Sequence, residues 1–157
     1  MPGRATCSAA VGGSRYASGG GARLLRRLGV LAQWQSSEPL ADPALTCHLV
    51  VSPCVLAELD YLVATRQGPP AAGAIIRYVA GRVAAGRWEV PGIGALLLAA
   101  YAVLEDYPAI GLADAMNVVL AREFRTEVIA TLDHRHFRVI RPLTPHTAFR
   151  LLPADVP

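Results

Sequence analysis

The sequence predicts an α/β fold in which a mostly parallel sheet is covered by helices on both faces. Short apolar runs of strand length alternate with stretches of helical period, and typical capping residues flank several of the helical stretches. This alternation is typical of parallel strands joined by crossover helices. With 157 residues, 53% of them hydrophobic, the chain is long enough for one domain with a proper core and too short for two ordinary ones.

Residues 1–47 show no sustained helical or strand period and are rich in Gly, Ala and Arg. We expect residues 1–25 to be poorly ordered, residues 28–32 to be a short strand and residues 39–45 to be a turn or frayed helix. We interpret the whole segment as irregular, and as translated in a shifted frame or from a misplaced start. The organised domain then spans residues 48–157.

This domain opens with a strand that leads directly into a capped helix. Residues 49–51 are apolar and read as a short buried strand. Ser52 is a typical N-cap, a proline follows at the first helical position, and Gly68 is a typical C-terminal stop. On a helical wheel the apolar side chains fill one arc, and Glu58 lies at the edge of that arc. The helix therefore holds a carboxylate at the rim of its buried face.

The remaining elements continue the alternation. We predict three helices, over residues 71–85, 94–105 and 112–124, and four strands, over residues 87–90, 127–132, 138–141 and 149–152. Asp114 falls in the first turn of its helix, and Asp133 directly follows the clearest strand. Helix beginnings and strand ends share one rim in such a sheet, so we expect Glu58, Asp114 and Asp133 to converge there.

Converging carboxylates repel one another unless a cation neutralises them or some stay protonated. Oxygen ligands suit Mg²⁺ or Mn²⁺, and a water activated by such an ion can attack a phosphodiester. Each residue also has a purely structural interpretation: Asp114 complements a helix dipole, Asp133 caps a turn, and Glu58 is a solvated edge position. Only their shared rim favours the metal-site interpretation.

The formal net charge of +3 comes from the N-terminal third, and the rest of the chain is neutral overall. A phosphate partner therefore needs a local basic cluster, and Arg135, Arg138 and Arg141 form one just after Asp133. The alternative is a solvated loop. We expect the neighbouring His134 and His136 to be solvated rather than to form a metal pair.

Several function classes lack their signatures. Three cysteines without close paired spacing indicate neither a zinc site nor a disulfide framework. No apolar run approaches the roughly 20 residues of a membrane span, so we expect a soluble cytoplasmic protein. No dinucleotide or Gly-Lys-Ser/Thr phosphate loop occurs, and no nucleophile signature accompanies a Ser or Cys.

Three consecutive segments, LVVSPCVLAELDYLVATR, GLADAMNVVLA and ATLDHRHFRVIRP, resemble the signatures of VapC toxins, which are PIN-domain ribonucleases. The resemblance covers about residues 49–153. It implies a PIN-like three-layer α/β/α sandwich and acidic site residues at Glu58, Asp114 and Asp133. It further implies Mg²⁺ or Mn²⁺ dependence, cleavage of structured tRNA or ribosomal RNA, a homodimer, and neutralisation by a VapB-type antitoxin.

The sequence departs from the family at its first acidic motif. Family members begin with a central strand that ends in an aspartate, and residues 1–48 contain no such strand by pattern. Their only carboxylates, Glu38 and Asp42, follow no convincing apolar strand. The departure keeps a second hypothesis open, a catalytically impaired PIN-like module that binds antitoxin or RNA. A DNA nuclease or phosphatase with the same metal chemistry is a third.

Overall fold

The computed structural model describes residues 6–10, 48–131, 133–152 and 154–155. Within these residues the protein is mixed α/β, and five strands form one sheet in the order β3-β2-β1-β4-β5. The strands are β1 (Thr6–Ala10), β2 (His48–Val51), β3 (Trp88–Glu89), β4 (Val128–Thr131) and β5 (Arg150–Leu152). Each neighbouring pair runs parallel, as the alternating pattern predicts.

β1 lies at the centre of the sheet. Ser8, for example, pairs with Val50 of β2 on one side and with Ile129 of β4 on the other. A central strand therefore does come from the segment expected to be poorly ordered, although β1 ends in alanine and not in the aspartate typical of the family. TCSAA contains only small or polar side chains and no apolar alternation, so its position depends on backbone pairing rather than on a pattern in the sequence. The strand and turn expected at residues 28–32 and 39–45 lie outside the described residues.

The helices of the described part follow the predicted order. They are α1 (Pro53–Gln67), α2 (Pro69–Ala84), a 3-10 turn (Gly94–Leu96), α3 (Leu97–Asp106), α4 (Leu112–Glu123) and α5 (His134–Val139). Ser52 caps α1 as predicted, because its Oγ accepts a hydrogen bond from the Cys54 amide at 3.2 Å. Gly68 ends α1 at a φ of 88°, a backbone conformation that favours glycine. None of these helices is both long and apolar enough to cross a bilayer.

α5 replaces the strand expected at residues 138–141. Residues 134–139 are helical instead, and Phe137 within the helix and Ile140, the extended residue that ends it, are both buried. The Phe137 ring then packs edge-on against Phe149, with centroids 6.0 Å apart. Burial of these side chains outweighs the local strand preference.

Two apolar clusters lie on opposite faces of the sheet, and β4 contributes to both. Val128 and Ala130 belong to the cluster formed with α1 and α2, whereas Ile129 belongs to the cluster formed with α3 and α4. Such alternation is what a strand with two buried faces requires. Only one side of α3 belongs to the core, because Ala100 is buried while Leu98 is 84% exposed.

Candidate functional site

Asp114 lies in the first turn of α4, as predicted, and its carboxylate is partly buried. Its Oδ2 lies 2.9 Å from Nδ1 of His136 on α5. A carboxylate can only accept, so Nδ1 carries the proton and donates it. The contact joins two helices through residues that are 22 positions apart in sequence, and it fixes one face of the Asp114 carboxylate.

Asp133 lies between β4 and α5, at the C-terminal end of the sheet. Its Oδ1 accepts a hydrogen bond from the Arg135 amide at 3.2 Å, so it caps α5, and its own amide donates to the Thr131 Oγ1 at 3.0 Å. Its second carboxylate oxygen, Oδ2, lies 3.8 Å from Nδ1 of His136. One histidine nitrogen thus stands between the carboxylates of Asp114 and Asp133, where a shared cation would also be favoured.

Glu58 lies on α1 and is exposed to solvent. Partial burial of its carboxyl raises the pKa of Glu58, and the negative charge of Asp114 raises it further. Glu58 and Asp114 are therefore close enough for their charges to interact. A nearby cation would offset this repulsion between the two carboxylates.

The donor chemistry suits a hard divalent cation. Within the described ranges no three His, Cys, Asp or Glu side chains close around one point as a complete ligand set. Mg²⁺, however, is usually bound through one or two carboxylates while it keeps several waters. Asp114 and Asp133 provide two such carboxylates, because one carboxylate oxygen of each lies near Nδ1 of His136.

The three arginines expected to contact phosphate have different surroundings. Arg135 has a side chain that is 89% exposed, and its Nε lies 3.7 Å from the Asp133 carboxylate. Arg141 is exposed, and its amide donates to the Tyr107 hydroxyl at 3.1 Å. Arg138 is instead engaged by Asp155 through two hydrogen bonds. Arg135 and Arg141 are therefore better placed than Arg138 to meet an incoming anion.

The Arg138–Asp155 pair ties α5 to the C-terminal turn. Hydrogen bonds from the Arg138 guanidinium hold the pKa of Asp155 below its usual range, and the Leu151 amide, which donates to Asp155 at 2.7 Å, lowers that pKa further. Because the folded protein favours the charged carboxylate, the stabilisation is present above the ordinary aspartate pKa of about 3.9. It is lost as the pH falls through the lower pKa of the folded state.

We predict that Asp155→Asn lowers the Tm at neutral pH and that the difference from wild type shrinks on acidification from about pH 6 to about pH 3. Thermal melts followed by circular dichroism across this range would measure it. Glu105→Gln, at the exposed end of α3, controls for the loss of one negative charge. A Tm difference that stays constant down to pH 3 would contradict the assignment.

The sequence-based predictions missed the roles of two residues. His136 was expected to be solvated, yet it contacts Asp114 and lies near Asp133. Asn117 was not singled out, yet it is fully buried, and within the described part of the chain neither of its side-chain polar atoms has a hydrogen-bond partner. For Asn117, the available signal in the sequence was an asparagine within an otherwise apolar helix face. The contact between His136 and Asp114 is evident only in the folded structure.

Comparison with known proteins finds a relative of high similarity. No protein-family model matches the chain. Ribonuclease VapC26 of Mycobacterium tuberculosis (strain ATCC 25618 / H37Rv) is 45% identical over 123 residues, which cover 73% of this chain and 88% of the relative. Together with the parallel α/β fold, this similarity shows that the chain belongs to the VapC family of PIN-domain ribonucleases.

Proposed function

We propose that the protein is a ribonuclease toxin of a type II toxin–antitoxin system, and that it cleaves structured RNA such as tRNA or ribosomal RNA in a Mg²⁺- or Mn²⁺-dependent reaction. One observation carries the proposal: Asp114 and Asp133 approach the same nitrogen of His136, while Glu58 interacts electrostatically with Asp114. Because the chain belongs to a family of ribonucleases, we infer that this acidic cluster takes part in RNA cleavage. Purified protein incubated with total RNA and Mg²⁺ should produce discrete fragments, and intact RNA would contradict the proposal.

The proposed roles follow from the position of each side chain. Asp114 and Asp133 would hold the divalent ion, and Glu58 would add a third carboxylate from α1. The bound ion would lower the pKa of a water molecule and offset negative charge on a phosphoryl oxygen. His136 orients the Asp114 carboxylate through its Nδ1–H, and Asp133 is held by the Arg135 amide. These contacts reduce the reorganisation needed before the substrate phosphate arrives.

The wider setting is proposed on the family resemblance. It comprises a PIN-like three-layer α/β/α sandwich, a VapB-type antitoxin that neutralises the nuclease, a homodimer, and action in the cytoplasm. The two apolar clusters on opposite sheet faces support the layered architecture. Residues 48–157 form the proposed nuclease domain. The central strand of its sheet, Thr6–Ala10, comes from the preceding segment, residues 1–47.

Arg135 and Arg141 are proposed to bind the RNA backbone. We predict that alanine at either position weakens RNA binding to a similar extent for different sequences, because phosphate contacts position a strand without reading it. Each substitution should reduce the slope of log affinity against log salt concentration by about one. Arg122→Ala, whose guanidinium pairs with Glu123 on α4, provides the control. An unchanged salt slope in both variants would remove these arginines from the RNA site.

A catalytically impaired PIN-like module remains the second candidate, and one observation favours it. β1 occupies the centre of the sheet, yet it contains no carboxylate, whereas the family's central strand ends in an aspartate. Such a module would bind RNA or antitoxin and cleave slowly or not at all. Tight RNA binding by the wild-type protein without fragment formation would support this candidate over the first.

A further inference from the structure

Asn117 lies in the middle of α4 and is fully buried. Neither Oδ1 nor Nδ2 of its side chain has a hydrogen-bond partner among the described residues. Its neighbours in the helix, Met116 and Val118, are buried apolar residues. A buried amide without partners costs free energy, and an apolar side chain of similar size would avoid that cost. The amide therefore needs a partner that the described side chains do not supply.

The position of Asn117 indicates where that partner lies. It follows Asp114 by three residues, so the two side chains share one face of α4. Side chains on a helix tilt toward its N-terminus, which directs the Asn117 amide toward the level of Asp114 and the acidic rim. An amide offers two N–H donors and one acceptor oxygen, a set that suits a water molecule beside a carboxylate.

We propose that Asn117 is a positioning residue of the acidic site: its amide holds an ordered water that donates a hydrogen bond to the Asp114 carboxylate. With His136 on one side and this water on the other, Asp114 is fixed in the orientation needed for a divalent ion. The inference rests on the proposed nuclease site. Asn117 itself does not contact the substrate and is not a catalytic residue.

Mn²⁺ titration of the full chain by isothermal calorimetry tests the inference. Asn117→Leu keeps the branched shape of the side chain and removes the amide, and it should weaken Mn²⁺ binding by about 10- to 100-fold, as loss of an outer-shell partner does. Asn117→Ser keeps a hydroxyl that can bind water and should lose less. Met116→Leu, a change at an equally buried neighbour, should bind Mn²⁺ like wild type.

The possible outcomes separate this inference from the proposed function. Wild-type Mn²⁺ affinity in Asn117→Leu, with an unchanged or higher Tm, would overturn the positioning role while leaving the metal site intact. No Mn²⁺ binding by the wild-type protein would overturn both. If Asn117→Leu does not fold, as judged by circular dichroism, the decision passes to Asn117→Ser: weaker binding than in Met116→Leu supports the role, and equal binding rejects it.

Discussion

Asparagine in place of Asp114 should reduce RNA cleavage by at least about 100-fold, the upper end of the loss caused by removing an outer-shell partner of a metal site. The substitution keeps the shape of the side chain, and the amide oxygen can still accept the hydrogen bond from His136. The fold should therefore survive. What disappears is the negative charge on which the proposed ion depends, so the loss should appear in cleavage rather than in stability.

The matched control is Asp60→Asn, which removes a carboxylate from the exposed side of α1. Both variants change the net charge equally, so a nonspecific effect of charge on RNA binding would appear in both. Cleavage rates of total RNA, measured with equal amounts of folded protein, provide the comparison. If Asp114→Asn cleaves as fast as wild type, the assigned site is wrong.

Phe137→Ala should have the largest effect on stability, a loss of about 3–5 kcal/mol, as is typical of large-to-small changes in a well-packed core. The ring is 1% exposed and packs edge-on against Phe149, so alanine leaves a cavity beneath α5. The same short helix presents His136 to Asp114. We therefore expect activity to fall together with stability, because the two carboxylates lose their common neighbour.

Urea unfolding followed by circular dichroism would measure this loss. Val139→Ala, on the same helix but 68% exposed, should stay within about 0.5 kcal/mol of wild type. Similar unfolding midpoints for the two variants would show that Phe137 does not anchor α5. The inferred link between core packing and the orientation of His136 would then also fail.

The sequence was sufficient to predict structural features that depend on residues close together in the chain. Ser52 and Gly68 predicted both ends of α1 because capping depends on nearby backbone groups. The β-branched run that became β4 (Val128–Thr131) predicted a strand for a similar reason. From these elements the placement of Asp114 in a first helical turn, and of Asp133 just beyond a strand, also followed.

Features that depend on distant partners could not be predicted in this way. β1 has no apolar pattern, and only pairing with β2 and β4 defines it. α5 (His134–Val139) forms where a strand was expected, and Phe137 within it and Ile140 just after it are buried in the core. The contact between His136 and Asp114, and the buried amide of Asn117, arise when α4 and α5 pack into the finished domain.

A crystal soaked in Mn²⁺ and measured at a wavelength where manganese scatters anomalously would test the acidic site most directly. We expect one strong anomalous peak between α4 and α5, in direct contact with carboxylate oxygens of Asp114 and Asp133 and with Glu58 beside it. A fully soaked crystal with no peak there, or with Mn²⁺ bound only elsewhere on the surface, would contradict the metal-dependent nuclease.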